Sequence, residues 1–295
     1  MHRHRFRSLR IPGLLLMALL LGGCVPHMDL LDPAGPISAH EKSLILTAFW
    51  LMLIVAIPVF ALTFWFAWRY RASNRKATYL PNWDFSWKVD AVIWVLPVFI
   101  VVTIGILTWQ SSHALAPYRP IASKQKPIDV DVVALDWKWL FIYPQQHIAT
   151  VNQLVVPVDR PVNFKLTSDT VMTSFFIPKF GTQIYAMAGM KTSLNLMADK
   201  VGTYVGRNFQ FSGRGYSEMK FQVLAKHETQ FKQWVDKVHS SDQKLDMAAM
   251  KQLEKHSTAD PVRHFSRVDP TLFQAIINKY HVARHGKDMI AAKGV

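Results

Sequence analysis

Cysteine is almost absent from this chain of 295 residues, since Cys24 is the only one. A single thiol excludes an internal disulfide framework and zinc sites that need two or more cysteines. Charged residues are also scarce, at 18%, whereas soluble proteins average about a quarter. Half of the residues are hydrophobic. The composition therefore indicates membrane-spanning segments.

Acidic residues are outnumbered, with 20 Asp and Glu against 34 Lys and Arg, which gives a formal net charge of +14. In a soluble protein this excess would suggest nucleic acid binding. Here part of it lies in an N-terminal leader, and another part lies in one short loop between two apolar segments. We therefore expect no nucleic acid partner.

The N-terminus has the pattern of a signal peptide. Several arginines precede an apolar run from Ile11 to Leu21, which is shorter than the roughly 20 residues that a membrane span needs. The run ends in Leu21-Gly22-Gly23-Cys24, which resembles the bacterial lipoprotein box, where cleavage precedes the cysteine and its sulfur receives a diacylglycerol. We expect Cys24 to carry this lipid. An ordinary cleavage site with a chance thiol nearby is the alternative.

Two later segments are long enough to span a membrane. Leu44 to Ala67 and Ala91 to Trp109 contain no charged residue, which predicts two spanning helices. The loop between them carries an excess of lysine and arginine over a single aspartate, and this favours a cytoplasmic loop. Both ends of the mature chain are then expected on the outer, periplasmic side, in agreement with the lipoprotein signal.

The region after residue 127 changes to the period of a β-strand. From Ile128 to Ala134, apolar residues alternate with Asp129, Asp131 and Val133, which predicts a half-buried strand. Further short apolar segments, separated by turn residues, predict an all-β sandwich or barrel.

The pattern becomes helical after Ala225, where Phe231, Trp234 and Val238 share one face. We expect amphipathic helices there, packed on the sandwich or on a partner. The predicted segments are a signal peptide 1–23, an outer segment 24–42, a first spanning helix 43–68, a cytoplasmic loop 69–88, a second spanning helix 89–110, a linker 111–127, a β-domain 128–226 and a C-terminal helical region 227–295.

This order of elements resembles subunit II of the haem–copper respiratory oxidases. Val171 to Pro178 resembles the family's first copper-ligand segment, and Gly206 to Met219 resembles the second. Ser174 to Met190 is very similar to subunit II of the cytochrome bo-type ubiquinol oxidases. The resemblance implies a cupredoxin-like sandwich, a place in the bacterial inner membrane, and assembly with a catalytic haem–copper subunit I and further small membrane subunits.

The resemblance also shows what is missing. Copper-bearing members hold a binuclear centre with one His in the first segment and with Cys, a Glu carbonyl, Cys, His and Met in the second. The corresponding positions here are Thr173, Asn208, Gln210, Ser212, Tyr216 and Met219. Thiolate and imidazole ligands, which favour copper, are both gone. We therefore predict no metal and no cofactor on this chain. The resemblance implies haems and copper in the catalytic subunit and ubiquinol as the substrate of the complex.

Asp90 lies at the start of the second spanning helix. The resemblance implies a glutamate here, at the mouth of a proton channel into the catalytic subunit, so we expect Asp90 to take up protons. A first-turn carboxylate that only interacts with the helix N-terminus is the alternative.

The Asp136-Trp137-Lys138-Trp139 stretch lies where the family carries its aromatic cluster. Because residues two apart on a strand face the same side, we expect Trp137 and Trp139 to contact the catalytic subunit together.

The expected function is that of a non-catalytic subunit of a proton-translocating ubiquinol oxidase, which reduces oxygen to water in aerobic respiration. Two alternatives stay open. One is a copper-bearing cytochrome c oxidase subunit II, and the other is a free-standing, membrane-anchored binding lipoprotein.

Overall fold

The chain begins with a helical hairpin and continues into a β-domain with a helical C-terminal region. The computed structural model describes residues 29–78 and 82–280. The predicted signal peptide, Cys24 and the end of the predicted C-terminal region lie outside these residues.

Helix α1 runs from Pro36 to Arg69 and helix α2 from Trp87 to Ala114. Both helices are long and apolar enough to cross a membrane. They extend beyond the predicted limits of 43–68 and 89–110, chiefly at the ends nearest the β-domain. Their large apolar side chains are mostly exposed, as expected for surfaces that face lipid or another membrane helix.

The β-domain is built from short strands that form two main sheets. The strands are β1 (Ile128–Leu135), β2 (Lys138–Tyr143), β3 (Ile148–Val151), β4 (Gln153–Pro157), β5 (Val162–Ser168), β6 (Thr173–Ile177), β7 (Gly181–Ala186), β8 (Thr192–Leu196), β9 (Gly202–Asn208), β10 (Lys220–Lys226), β11 (Lys244–Leu245), β12 (Arg263–Phe265) and β13 (Arg267–Val268). The first sheet has the order β12-β3-β2-β1-β5-β8, and the second has the order β4-β10-β9-β6-β7. β1 is parallel to β5 and β10 is parallel to β4, so both sheets are mixed.

Within the described residues, three helices follow the sandwich. Helix α3 spans Glu228–His239, helix α4 spans Met247–Leu253, and helix α5 covers residues 272–280. The predicted apolar face of α3 is confirmed, because Phe231, Trp234 and Val238 are buried. The C-terminal region also contains β11, β12 and β13, which the helical pattern did not predict.

The main core lies between the two sheets. Alternate residues of β1, such as Val130 and Val132, meet Phe175 of β6 and Phe221 of β10 there, and the two phenylalanine rings stack with centroids 5.2 Å apart. This arrangement of two sheets confirms the predicted fold class, with the apolar hairpin before it and a helix at its C-terminal side.

A second core lies on the outer face of the first sheet. We call residues 240–280, which cover this face, the C-terminal strap. Val133 and Leu135 of β1 pack there with Leu272 and Ile276 of α5. The prediction that β1 is half-buried was therefore wrong, because the strap buries the face that carries Val133.

The segment before α1 and the first turns of α1 are attached to the sandwich, and we call these residues, 29–41, the N-terminal clamp. The backbone N–H of Ala34 donates to the carbonyl of Lys179 at 2.8 Å, and the Ser38 hydroxyl donates to the same carbonyl at 2.6 Å. The Glu41 carboxylate accepts from both the backbone N–H and the hydroxyl of Thr182, at 3.0 and 2.7 Å. The first helix is therefore joined to the β-domain by polar contacts as well as by the chain.

Candidate functional site

The positions that correspond to the family's copper ligands gather at one end of the sandwich. Thr173 begins β6, Asn208 ends β9, and Met219 lies directly before β10. β6 and β9 are paired, with Phe175 opposite Asn208. The sheet register therefore brings the two candidate segments together.

The remaining three positions lie on the connection between β9 and β10, which we call the 209–219 loop. They are Gln210, Ser212 and Tyr216. Tyr216 begins a single turn of 3-10 helix that ends at Glu218.

The side-chain amide of Asn208 is the centre of a hydrogen-bond network. Its Oδ1 accepts from the backbone N–H groups of Ser174 at 2.9 Å and Gln210 at 2.8 Å. Its Nδ2 donates to Ser212 Oγ at 3.0 Å and to Met219 Sδ at 3.4 Å. A carboxamide offers two acceptor sites and two donors, so this buried amide is fully satisfied. One neutral side chain thus joins β6, the 209–219 loop and the residue before β10.

The atoms at this end do not fit a binuclear copper centre. Such a centre requires soft thiolates and imidazoles, whereas this site offers hydroxyls, amides and the Met219 thioether. The Met219 sulfur already accepts a hydrogen bond from Asn208. Within residues 29–78 and 82–280, no three or more His, Cys, Asp or Glu side chains group as metal ligands would.

Trp137 holds the 209–219 loop from the opposite sheet. It lies in the tight turn between β1 and β2 with a φ of 66°, a conformation that is uncommon for a bulky residue. Its indole Nε1 donates to the carbonyl of Ser212 at 2.8 Å. A Cβ at Gly215 would lie 2.4 Å from the indole ring, so the loop requires glycine where it crosses Trp137.

Trp139 has a different environment, which corrects one prediction. Its side chain is fully buried in the main core, edge-on to Phe175 at 5.4 Å and to Phe221 at 5.6 Å. Because Trp137 lies in a turn with positive φ, the strand alternation begins after it and the two indoles have different surroundings. Trp139 therefore offers no surface to another subunit. The expected contact with the catalytic subunit stays a prediction for the half-buried Trp137 alone.

Exposed aromatic rings surround the loop. Phe211 is 74% exposed and packs against Tyr216 with ring centroids 5.7 Å apart. Phe209 is also exposed and meets Phe176 of β6 at 5.1 Å. An apolar group of this kind on a loop held by hydrogen bonds is typical of a contact surface for another protein.

Asp90 lies in the first turn of α2, as the sequence predicts, and its side chain is exposed. Its backbone N–H donates to the carbonyl of Ser86 at 2.9 Å. The other functional prediction near the N-terminus, the lipid on Cys24, falls outside the described residues.

Two ion pairs fasten the strap, and sequence reasoning missed both. The buried Lys138 ammonium lies 3.1 Å from Asp260 and donates to the Lys255 carbonyl at 2.8 Å. Lys279 of α5 lies 2.9 Å from the buried Asp169. Burial raises the pKa of Asp169 although Lys279 opposes this shift. These pairs join residues more than 100 positions apart, so no local pattern could reveal them.

Family models agree with the division into a sandwich and a strap. The model described as the periplasmic domain of cytochrome c oxidase subunit II matches residues 121–226, and the one described as the COX aromatic rich motif matches residues 239–282. The first range contains both main sheets except for β12, and the second contains the whole strap.

Relatives match almost the whole chain. A cytochrome bo(3) ubiquinol oxidase subunit 2 from Pseudomonas putida is 48% identical, covering 97% of this chain and 94% of the relative. The chain belongs to the ubiquinol oxidase subunit 2 family. A member from Acetobacter aceti is 49% identical over 93% of this chain and 89% of its own length. The resemblance stated from the sequence is thereby confirmed.

The match to the ubiquinol oxidase subunit 2 family includes the helical hairpin, which the periplasmic-domain model does not cover. A solved structure of the periplasmic domain of subunit II of cytochrome oxidase from Bradyrhizobium japonicum is also similar, at 20% identity. It covers 45% of this chain and 99% of that domain, with a TM-score of 0.37. The hairpin and a periplasmic-type domain together fit a protein of the inner membrane.

Proposed function

We propose that this chain is the non-catalytic subunit II of a bacterial ubiquinol oxidase. Electrons pass from ubiquinol to oxygen through haems and copper in the catalytic subunit, and water is formed there. This chain holds its partner and carries no redox group. The Asn208 amide carries the proposal, because its four hydrogen bonds occupy the place where a copper-bearing subunit would bind metal.

Contacts with the catalytic subunit are assigned to two surfaces. The first is the membrane hairpin, whose apolar side chains, such as Trp94 and Phe99, are exposed. The second is the aromatic group of Phe209, Phe211 and Tyr216, with Trp137 beneath the loop. Further small membrane subunits are expected to bind the free faces of the hairpin.

Attachment to the membrane has two parts in this proposal. The two helices cross the inner membrane with their connecting loop in the cytoplasm, so both termini and the β-domain lie in the periplasm. Cleavage after residue 23 leaves Cys24 as the new N-terminus, and its diacylglycerol enters the outer leaflet. The basic loop and the lipoprotein-type signal support the same orientation.

Asp90 is proposed to take up protons from the cytoplasm. Its exposed position in the first turn of α2 places a carboxylate at the boundary of the apolar segment. Ionisable groups at such positions are candidates for proton pathways. The catalytic subunit would receive the proton, because no second carboxylate occurs along α2.

Purification in mild detergent tests this function directly. A tagged chain should bring haem-containing membrane partners with it, visible in the absorption spectrum, and the preparation should consume oxygen with ubiquinol and not with reduced cytochrome c. A colourless, solitary protein would instead indicate a binding lipoprotein. Stoichiometric copper in the β-domain, with oxidation of cytochrome c, would indicate a cytochrome c oxidase subunit.

A further inference from the structure

A groove of about 450 Å³ opens beside α3, lined by residues of β4 and β10 of the second sheet and of β12 of the first. This volume lies within the range of small-molecule sites, about 300–1,000 Å³. Lys226 of β10 and Lys237 of α3 line it with ammonium groups, and Gln230 and Gln233 of α3 line it with amides. Among the described residues that form its walls there is no carboxylate. The groove is therefore positive and rich in hydrogen-bond donors.

His264 of β12 also lines the groove. Its Nε2 lies 3.0 Å from Oε1 of Gln153, whose Nε2 donates to Gln222 at 3.0 Å. Burial, and then the charge of Lys237, lower the pKa of His264. Lys226 is the other charged residue that lines the groove.

The neighbours of His264 on its own sheet add little charge. Arg263, the preceding residue of β12, is paired with Asp260 at 3.2 Å. The residue opposite His264 on β3 is the uncharged Thr150. The positive charge at the groove therefore comes from the two lysines, while burial disfavours the charged form of the imidazole.

We propose that this groove binds a phosphate-type oxyanion, either free phosphate or the headgroup of an anionic phospholipid. Lysine ammonium groups are common phosphate ligands, and hydrogen bonds from charged donors to an oxyanion are strong. The glutamine amides add donors for the remaining oxygens. A bound anion next to His264 also favours its protonated form, so binding should raise the pKa of this imidazole.

The test uses the full-length chain in a neutral detergent at constant ionic strength. Phosphate should raise the thermal unfolding midpoint in a saturable manner. The double variant Lys226→Gln/Lys237→Gln should bind about tenfold more weakly or worse, because two charged donors are lost. The matched control Lys244→Gln/Lys251→Gln changes two exposed lysines outside this groove and should respond like the unmodified chain.

Two further experiments identify the ligand and distinguish weaker binding from a folding defect. Short-chain phosphatidylglycerol below its micelle concentration is compared with inorganic phosphate, and the probe that saturates at lower concentration identifies the source. Phosphate should also raise the pKa of His264 in the unmodified chain, and should raise it less in each single lysine variant. NMR follows this pKa, and the variant His264→Gln assigns the signal.

An equal response in the double variant, a response that sodium chloride reproduces, or no saturable response to either probe would overturn the proposal. None of these results bears on the proposed oxidase function, because the groove lies outside the surfaces assigned to the catalytic subunit.

Discussion

Asn208 illustrates how one residue can replace the connections of a metal site. A binuclear centre would join two strands and a loop through covalent coordination, and here one carboxamide joins the same three elements through four hydrogen bonds. Each such bond contributes about 1 kcal/mol, and buried groups left unpaired cost more. The end of the sandwich therefore depends strongly on this side chain.

Asn208→Ala should lower the free energy of unfolding by about 2–4 kcal/mol, because it removes the amide and leaves two backbone N–H groups without their acceptor. Thermal unfolding of the full-length chain measures this effect. Gln210→Ala is the matched control, since Gln210 contributes its backbone N–H to the network. It should stay within about 0.5 kcal/mol of the unmodified chain. Equal losses in the two variants would contradict the role of the amide.

Asp131 is a second residue whose environment predicts a measurable effect. Burial raises the pKa of Asp131 to about 6, and its Oδ1 has no hydrogen-bond partner within the described residues. Because the carboxyl has an ordinary pKa of 3.8, the folded state holds the proton more tightly than the unfolded state. The stability that this group contributes is therefore greatest at low pH and decreases as the pH rises from about 4 to about 6.

Asp131→Asn should remove this pH dependence. Near pH 7.5 it should raise the free energy of unfolding by about 1–2 kcal/mol, after allowance for solvent at the site, and near pH 4 the gain should vanish. Unfolding curves at the two pH values measure the difference. Asp129→Asn serves as the control, because Asp129 already accepts from Asn163 at 2.8 Å and should give no gain. A gain of the same size at both pH values would refute the assignment to Asp131.

At the scale of the elements, the junction between the N-terminal clamp and the sandwich has a close approach of two backbones at Gly35. Gly35 begins this junction in an extended conformation with a φ of −158°. A Cβ there would lie 2.4 Å from the carbonyl oxygen of Met197. Glycine is required for space rather than for an unusual backbone angle.

Gly35→Ala should therefore displace the clamp and lower the free energy of unfolding by about 1–3 kcal/mol. Limited proteolysis near the clamp, together with thermal unfolding of the isolated full-length chain, follows the displacement. Gly105→Ala is the matched control, because no atom lies within 4 Å of a Cβ at Gly105 in α2. Similar behaviour of the two variants would mean that the contact with Met197 does not hold the clamp.

The strands show which features a sequence can predict. Segments with one exposed face or clear turn residues, such as β5 and β6, are recognisable from their pattern. β2 and β3 lack the alternation that marks a half-buried strand, because both of their faces are buried. The strap that buries them begins only at residue 240, far along the chain from β3, which ends at Val151, and its ion pairs join equally distant residues.

The sequence predicted the positions of the candidate site, but not the hydrogen bonds that join them. The resemblance identified the six positions, and the missing thiolates already argued against copper. The central role of Asn208 depends on the direction in which β9 points its amide toward Ser174 and Met219. This direction cannot be read from the local sequence pattern. The error at Trp139 has a similar origin, because the positive φ of Trp137 interrupts the strand period on which the prediction relied.

For the whole molecule, the prediction concerns proton uptake by the assembled oxidase. Asp90→Ala should slow oxygen consumption and proton uptake severalfold without preventing assembly, because it removes the carboxylate at the start of α2. Asp90→Glu, with the residue that the resemblance implies, should retain or increase the rate. Asp84→Asn is the control, since it removes a neighbouring exposed carboxylate that precedes the helix. Stopped-flow measurements in reconstituted vesicles compare the variants. An unchanged rate of proton uptake in Asp90→Ala would contradict the proposal that Asp90 takes up protons.

The clamp also connects the helical hairpin mechanically to the β-domain. Hydrogen bonds from Ala34, Ser38 and Thr182 join the N-terminal end of α1 to β7 and the turn before it. We therefore expect a tilt of α1 to be passed on to the sandwich, and through it to the loop that carries Phe211.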